Sequence, residues 1–166
     1  YTRLKRVSAF AVVPGAVVGA IPPAMGWVAG GGRLTDPPVA ALVFFFFMWQ
    51  IPHFWLFVLN QGDEYRKAGL PSLTAVFSRP QLLRILFTWI AATSVSSLFL
   101  FAGGIVRNPV ITVLLVVLSS WLFWNGTRLL KDRRNRSISS FAFRRINVYL
   151  FVVMVSLSLG RLLGGS

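Results

Sequence analysis

Gln50, Pro52 and His53 interrupt an apolar stretch at Trp49-Gln50-Ile51-Pro52-His53-Phe54, and Asp63-Glu64-Tyr65-Arg66-Lys67-Ala68-Gly69 follows shortly after. This island holds the only histidine and two of the four acidic residues. An ionisable group or a helix breaker in a lipid-bound segment is costly and therefore marks a candidate site. On a helix, Gln50, His53, Asn60 and then Asp63 or Glu64 follow spacings of three, seven and three or four, so they form one stripe that ends in a carboxylate pair. Such a stripe suits a charged substrate entering from a membrane surface. A hydrogen-bonded packing role between helices accounts for His53 equally well at this level.

The cations have a pattern of their own. Tyr1, Lys5 and Arg6 stand at the mouth of the first apolar span, and Arg66 and Lys67 at the mouth of the second. Lys and Arg at helix boundaries donate charge-assisted hydrogen bonds to a diphosphate. Carboxylates beside them suit Mg²⁺ bridging acid and phosphate, with Asp63 and Glu64 as the ligands. Positive-inside topology explains the same cations without any ligand. A further cluster places Arg133, Arg134 and Arg136 around Asp132, with Arg144 and Arg145 beyond. It reads first as a loop facing anionic lipid, and second as an anionic-substrate contact through Arg144 or Arg145.

The elements that must carry these residues are membrane helices. Hydrophobic residues make up 55% of the 166 and charged residues only 13%, with a mean hydropathy of +0.69. Five apolar spans are predicted as helices, at about 8–30, 38–60, 81–103, 108–130 and 141–163, since ~20 apolar residues cross a hydrocarbon core. Runs such as Phe44-Phe45-Phe46-Phe47-Met48 lack the alternation of a barrel strand. The expected fold is thus an all-α, polytopic membrane bundle of about five transmembrane helices. The absence of cysteine excludes disulfides, thiolate metal sites and a cysteine nucleophile.

The net charge of +13 does not call for nucleic acid as a partner, because the Lys and Arg residues fall between the spans. Of the 17, fourteen lie with segments 1–7, 61–80 and 131–140, leaving Arg33, Arg107 and Arg161 on the other side. That bias assigns the N-terminus and the acidic loop to the cytoplasmic face. In the first span Gly15, Gly19, Gly26 and Gly30 share a helical face suited to close packing. Pro14 and Pro22-Pro23 should break or kink that helix, which places it inside the bundle. The basic start before an apolar run has the outline of a signal peptide, but four further spans follow, so the chain reads as a piece that begins partway through a larger protein.

The ordered motifs resemble a known family. Tyr1-Thr2-Arg3-Leu4-Lys5-Arg6, Gly15-xxx-Gly19-Ala20-Ile21-Pro22-Pro23-xx-Gly26-Trp27, Trp49-Gln50-Ile51-Pro52-His53-Phe54 and Asp63-Glu64-Tyr65-xxx-Ala68-Gly69-Leu70-Pro71 are similar to those of the protoheme IX farnesyltransferases (heme O synthases), a branch of the UbiA-type intramembrane prenyltransferases. The segment Phe143-Arg144-Arg145-Ile146-Asn147-Val148-Tyr149-Leu150 resembles the family's last helices more loosely.

The resemblance implies a nine-helix bundle of which residues 1–166 would supply helices five to nine, as the C-terminal part of one membrane domain. It implies farnesyl transfer from farnesyl diphosphate to a vinyl group of heme B, with Mg²⁺ assisting departure of diphosphate. Asp63 would match the second acidic motif, Lys5 and Arg6 the basic loop, and Tyr1 the tyrosine before it. His53, with Gln50 and Trp49, would contact heme. The implied setting is a bacterial or mitochondrial inner membrane, with a heme A synthase or oxidase assembly factors as downstream partners.

Two departures limit the resemblance. The family's first Asp-rich motif lies upstream of the basic loop and is absent from these residues, so this chain alone is expected to be inactive. Ser72 and Thr74 replace an apolar residue and a proline, and Ala11 and Pro14 alter the start of the first span. Two other readings therefore stand: a UbiA-type enzyme with another aromatic acceptor (a quinone precursor or a chlorin), and a non-catalytic heme-binding membrane module.

Overall fold

A computed structural model describes residues 12–61, 77–106, 108–131 and 137–163. The helices are α1 (Val12–Ala29), α2 (Pro37–Asn60), α3 (Arg79–Ser96), the short α4 (Phe99–Ala102), α5 (Pro109–Lys131) and α6 (Ile138–Leu163). There is no strand among the described residues. Five stretches are long and apolar enough to cross a membrane, α3 and α4 counting as one. The chain is an integral membrane protein, and the spans fall within a few residues of those expected.

Each long helix buries a stripe. On α5, Ile111, Leu115, Ser119, Leu122, Gly126 and Leu129 are buried. On α6 the stripe is Ile138, Ala142, Ile146, Tyr149, Val153 and Leu157. Steps of three and four keep these positions on one face of a helix. The bundle is organised around α2, which packs on α1, α3, α4 and α6, while α5 closes the other side against α3 and α6.

Polar groups join the helices where water is absent. The hydroxyls of Ser97 and Ser119 lie 2.7 Å apart, and the Tyr149 hydroxyl is 3.5 Å from Ser119. Small hydroxyl residues that bond across helices are a common adhesive in membranes. The third span, expected as one helix over 81–103, is interrupted by a turn at Ser97-Leu98. There the side chains of Ser96 and Ser97 donate back to the carbonyls of Thr93 and Ser94 at 2.8 Å each. Such local bonds compete with the helical ladder and bend it.

The first span differs from expectation in three ways. First, α1 runs unbroken through Pro22 and Pro23. Ala16 and Ala20 seat this helix closely on α2, and packing of this kind lets membrane helices absorb a proline. Second, α1 lies at the edge of the described bundle, not inside it. Its chief partner is α2, and Val17, Val18, Ile21, Met25 and Val28 are exposed. Third, the glycine face is used unevenly. A Cβ at Gly19 would meet the Gln50 side chain at 2.6 Å, whereas one at Gly26 would meet nothing.

The loop after α1 is held by Asp36. Its carboxylate accepts from the Trp27 indole N–H at 3.0 Å and from the Arg33 amide at 2.8 Å. Gly31 turns the chain at φ +88°, and a Cβ at Gly32 would run into the Trp27 indole. The Arg161 guanidinium lies over that ring, 5.5 Å from its centroid. The Trp27 and Arg33 hydrogen bonds hold the Asp36 carboxyl below its ordinary pKa. Its contribution to the loop is therefore complete above the pKa of free aspartate, ~3.9, and is lost as pH falls through the lower folded value. We expect the protection factor of the Arg33 amide, its exchange rate relative to the intrinsic rate at the same pH, to fall as the medium is acidified below pH ~4. In Asp36→Asn that protection should already be low at neutral pH and change little on acidification.

Candidate functional site

The island is built on the Asn60 half of α2. Pro52 is buried inside the helix and has no N–H to offer the Met48 carbonyl four residues back. The Thr93 hydroxyl of α3 lies 3.0 Å from that carbonyl and 2.8 Å from its own Trp89 carbonyl, so it supplies the missing donor. The backbone defect thus becomes a joint between α2 and α3. Sequence reasoning found the proline but not Thr93, whose only signal is a hydroxyl residue in an apolar span.

Around this joint the aromatic residues stack. The His53 imidazole lies 4.4 Å from the Trp49 ring with the planes at 30°. On its other flank is Phe143 of α6, at 5.2 Å and 34°. Trp49 is fixed in turn, since its indole N–H donates to the Ile146 carbonyl at 3.2 Å. The Asn147 side chain acts on the imidazole, and its amide nitrogen donates to the Phe143 carbonyl at 2.7 Å. His53 Nδ1 is buried and has no hydrogen-bond partner among the described residues. A buried polar atom left unpaired is costly, so such an atom in a built aromatic slot is a candidate contact for a bound molecule.

The structure brings Trp49 and His53 together on the α6 side of α2. Asn60 extends the same side and accepts from the Ser140 hydroxyl at 3.1 Å. Gln50 sits elsewhere, with its carboxamide against Gly19 of α1. The predicted stripe therefore divides, one part facing α6 and the other α1. Phe143 and Asn147 join the site from a helix that sequence spacing could not connect to α2. The signal available was an asparagine one turn from an aromatic residue in the last apolar span.

The remaining site residues, Tyr1, Lys5, Arg6, Asp63, Glu64, Arg66 and Lys67, lie outside the described residues. Among the described residues no group of three or more His, Asp or Glu side chains converges. The carboxylates assigned to Mg²⁺ are not among them. Their donor chemistry, hard carboxylate oxygens, does suit that ion.

Comparison with known proteins gives a consistent result. Residues 1–153 match the model of the UbiA prenyltransferase family. A protoheme IX farnesyltransferase of Geobacter sulfurreducens is 42% identical over 105 residues, covering 63% of this chain and 39% of that protein. The Nitratidesulfovibrio vulgaris (strain DP4) protein of the same name is 32% identical over 162 residues, 98% of this chain and 54% of its own. One from Gloeobacter violaceus is 33% identical over 158 residues, 94% and 50%. The chain thus spans about half the length of the curated relatives it matches. No solved structure matches it significantly. With the motifs in order, the helices in place and the match running over most of its length, the chain belongs to the UbiA prenyltransferase family.

Proposed function

We propose that this chain is part of an enzyme that transfers a farnesyl group from farnesyl diphosphate to a vinyl group of heme B, giving heme O on the route to heme A. The observation that carries this reading is the His53 slot. An imidazole held between Trp49 and Phe143, with Nδ1 buried and unpaired among the described residues, suits a flat aromatic macrocycle. The name shared by its relatives supports the same acceptor.

In this reading the C1–O bond of farnesyl diphosphate breaks and diphosphate leaves with the electron pair. The terminal vinyl carbon attacks the allylic cation and forms the new C–C bond. Water captures the cation left on the inner vinyl carbon and loses a proton, which yields the hydroxyethyl carbon. Lys5, Arg6, Arg66 and Lys67 hold the diphosphate and neutralise the charge that develops on it, with Tyr1 beside Lys5 completing the catalytic set. Asp63 and Glu64 would hold Mg²⁺, which would supply further neutralisation of the leaving group. Trp49 and His53 hold and orient the heme, and the apolar walls of the spans keep stray water from the cation. The charge bias places residues 1–7 and 61–80 on the cytoplasmic face of a bacterial inner membrane or its mitochondrial equivalent. The product is a substrate for a downstream heme-oxidising enzyme.

The test is the heme content of cells that lack their own heme farnesyltransferase and express the intact protein. Extracted hemes should contain a species heavier than heme B by a farnesyl group plus a hydroxyl group. Unchanged heme B together with a farnesylated quinone precursor or chlorin would transfer the assignment to another aromatic acceptor. No farnesylated product of any kind would leave a heme-binding module.

A further inference from the structure

Arg128 of α5 and Arg145 of α6 converge on a single ring. Their guanidinium carbons lie 5.3 and 4.8 Å from the centroid of Phe141, and that of Arg145 is also 5.3 Å from Trp121. Phe141, Trp121 and Arg145 are half-buried, and Arg128 is exposed. Cation–π attraction holds each guanidinium on the aromatic surface but does not neutralise it. Two like charges on one ring repel unless an anion joins them. Asp36, the one carboxylate among the described residues, is engaged by Trp27 and Arg33 at the opposite end of the bundle, and Asp132, four residues after Arg128 in sequence, lies outside the described residues.

The depth of the pair matters. Arg128 lies three residues inside the end of α5, and Arg145 seven residues inside the start of α6, about 4.5 and 10 Å along the helix axes. Both charges therefore start from within segments apolar enough to cross a membrane. A cation at that depth reaches toward the interface and pairs with whatever anion is there. Trp124, one turn before Arg128, is 67% exposed, and its neighbour Phe123 is exposed too. Exposed tryptophan near a helix end is characteristic of the headgroup level.

The site is separate from the His53 slot. Phe141 and Phe143 are two residues apart on α6, so they point about 200° apart. Phe143 and Asn147 meet α2 at His53, whereas Phe141 and Arg145 meet α5. A heme held at His53 is therefore on the other side of α6 from this pair. Among the described residues the open approach to the pair is along the exposed Trp124.

We propose that Arg128 and Arg145, seated on Phe141 and Trp121, bind the phosphodiester headgroup of an anionic membrane lipid at the α5–α6 edge. Guanidinium forks match phosphate oxygens geometrically, and the stacked rings fix the forks in advance. The acyl chains would run along the exposed Phe123–Trp124 surface of α5.

The test uses the intact protein in phosphatidylcholine nanodiscs doped with phosphatidylglycerol, with retained lipid counted by native mass spectrometry. Wild type should keep one more phosphatidylglycerol than R128Q/R145Q, whose apparent affinity should fall about tenfold or more. F141L, which keeps both charges and removes the ring, should fall between them. R84Q removes an exposed cation that no aromatic ring among the described residues seats, so it should behave as wild type. Inorganic phosphate should not displace the lipid. Equal retention by wild type and R128Q/R145Q would overturn the site. A loss in R84Q as large as in the double variant would reduce it to general charge, and displacement by inorganic phosphate would make it a free-anion site. If the double variant does not fold, R128Q alone, at an exposed position, gives the same comparison.

Discussion

In the proposed reaction, Asp63→Ala is expected to lower the rate of heme O formation by on the order of 10²–10³, the cost of losing one preorganised charge-stabilising group, and to leave heme binding intact. His53→Phe does the reverse. It keeps an aromatic ring between Trp49 and Phe143 but removes both nitrogens, including the buried Nδ1 that has no partner among the described residues. Loss of one well-placed polar contact costs ~1.5–3 kcal/mol, or roughly 10–100-fold in heme affinity. Turnover at saturating heme should stay near that of wild type, because the imidazole does not touch the breaking C–O bond in this reading. The two variants are compared in membranes by Soret titration for heme binding and by chromatography of extracted hemes for product. If Asp63→Ala retained full turnover, the acidic loop would have no part in leaving-group departure. If His53→Phe bound heme as wild type does, His53 would be a packing residue between α2 and α6.

The split between these roles shows what a sequence of this kind reveals. Span number and position follow from composition, because a hydrocarbon slab imposes a length on any apolar helix. His53 and Pro52 stand out for the same reason, since polar groups and breakers are costly there. What spacing cannot supply is the neighbour. Trp49, His53 and Asn60 meet α6 through Ile146, Phe143 and Ser140, residues 80 to 97 positions away. The helix does not break at Pro22-Pro23, whereas Pro52 marks a joint between helices. Both prolines of the pair are accommodated in a continuous α1, whereas Pro52 frees a carbonyl that a second helix answers through Thr93. The difference lies in what packs opposite the defect. The glycine face was likewise correct at Gly19, where Gln50 approaches, and empty at Gly26.

Trp55→Ala should be the most damaging single substitution within the described core. Trp55 is fully buried on α2, two residues from His53, and meets Trp89 of α3 edge-on at 6.3 Å. In a soluble protein its truncation would forfeit both the transfer of the ring from water and the contacts around it. In a membrane the transfer part is largely absent, because lipid tails are as apolar as the core. The remaining cost is the void. A cavity of up to ~140 Å³ at ~24 cal/mol per Å³ gives about 3 kcal/mol, less as neighbours relax into it. Trp124→Ala removes the same ring from a position that is 67% exposed and should cost close to nothing in stability. Thermal unfolding in mixed micelles separates the two. Because α2 carries the island and touches α1, α3, α4 and α6, loosening it at Trp55 should also move His53 relative to Phe143. The Trp55→Ala protein is therefore expected to lose heme affinity at temperatures below its own unfolding, and Trp124→Ala is not. Equal destabilisation by the two substitutions would mean that lipid contact, not the α2–α3 interface, holds the bundle together.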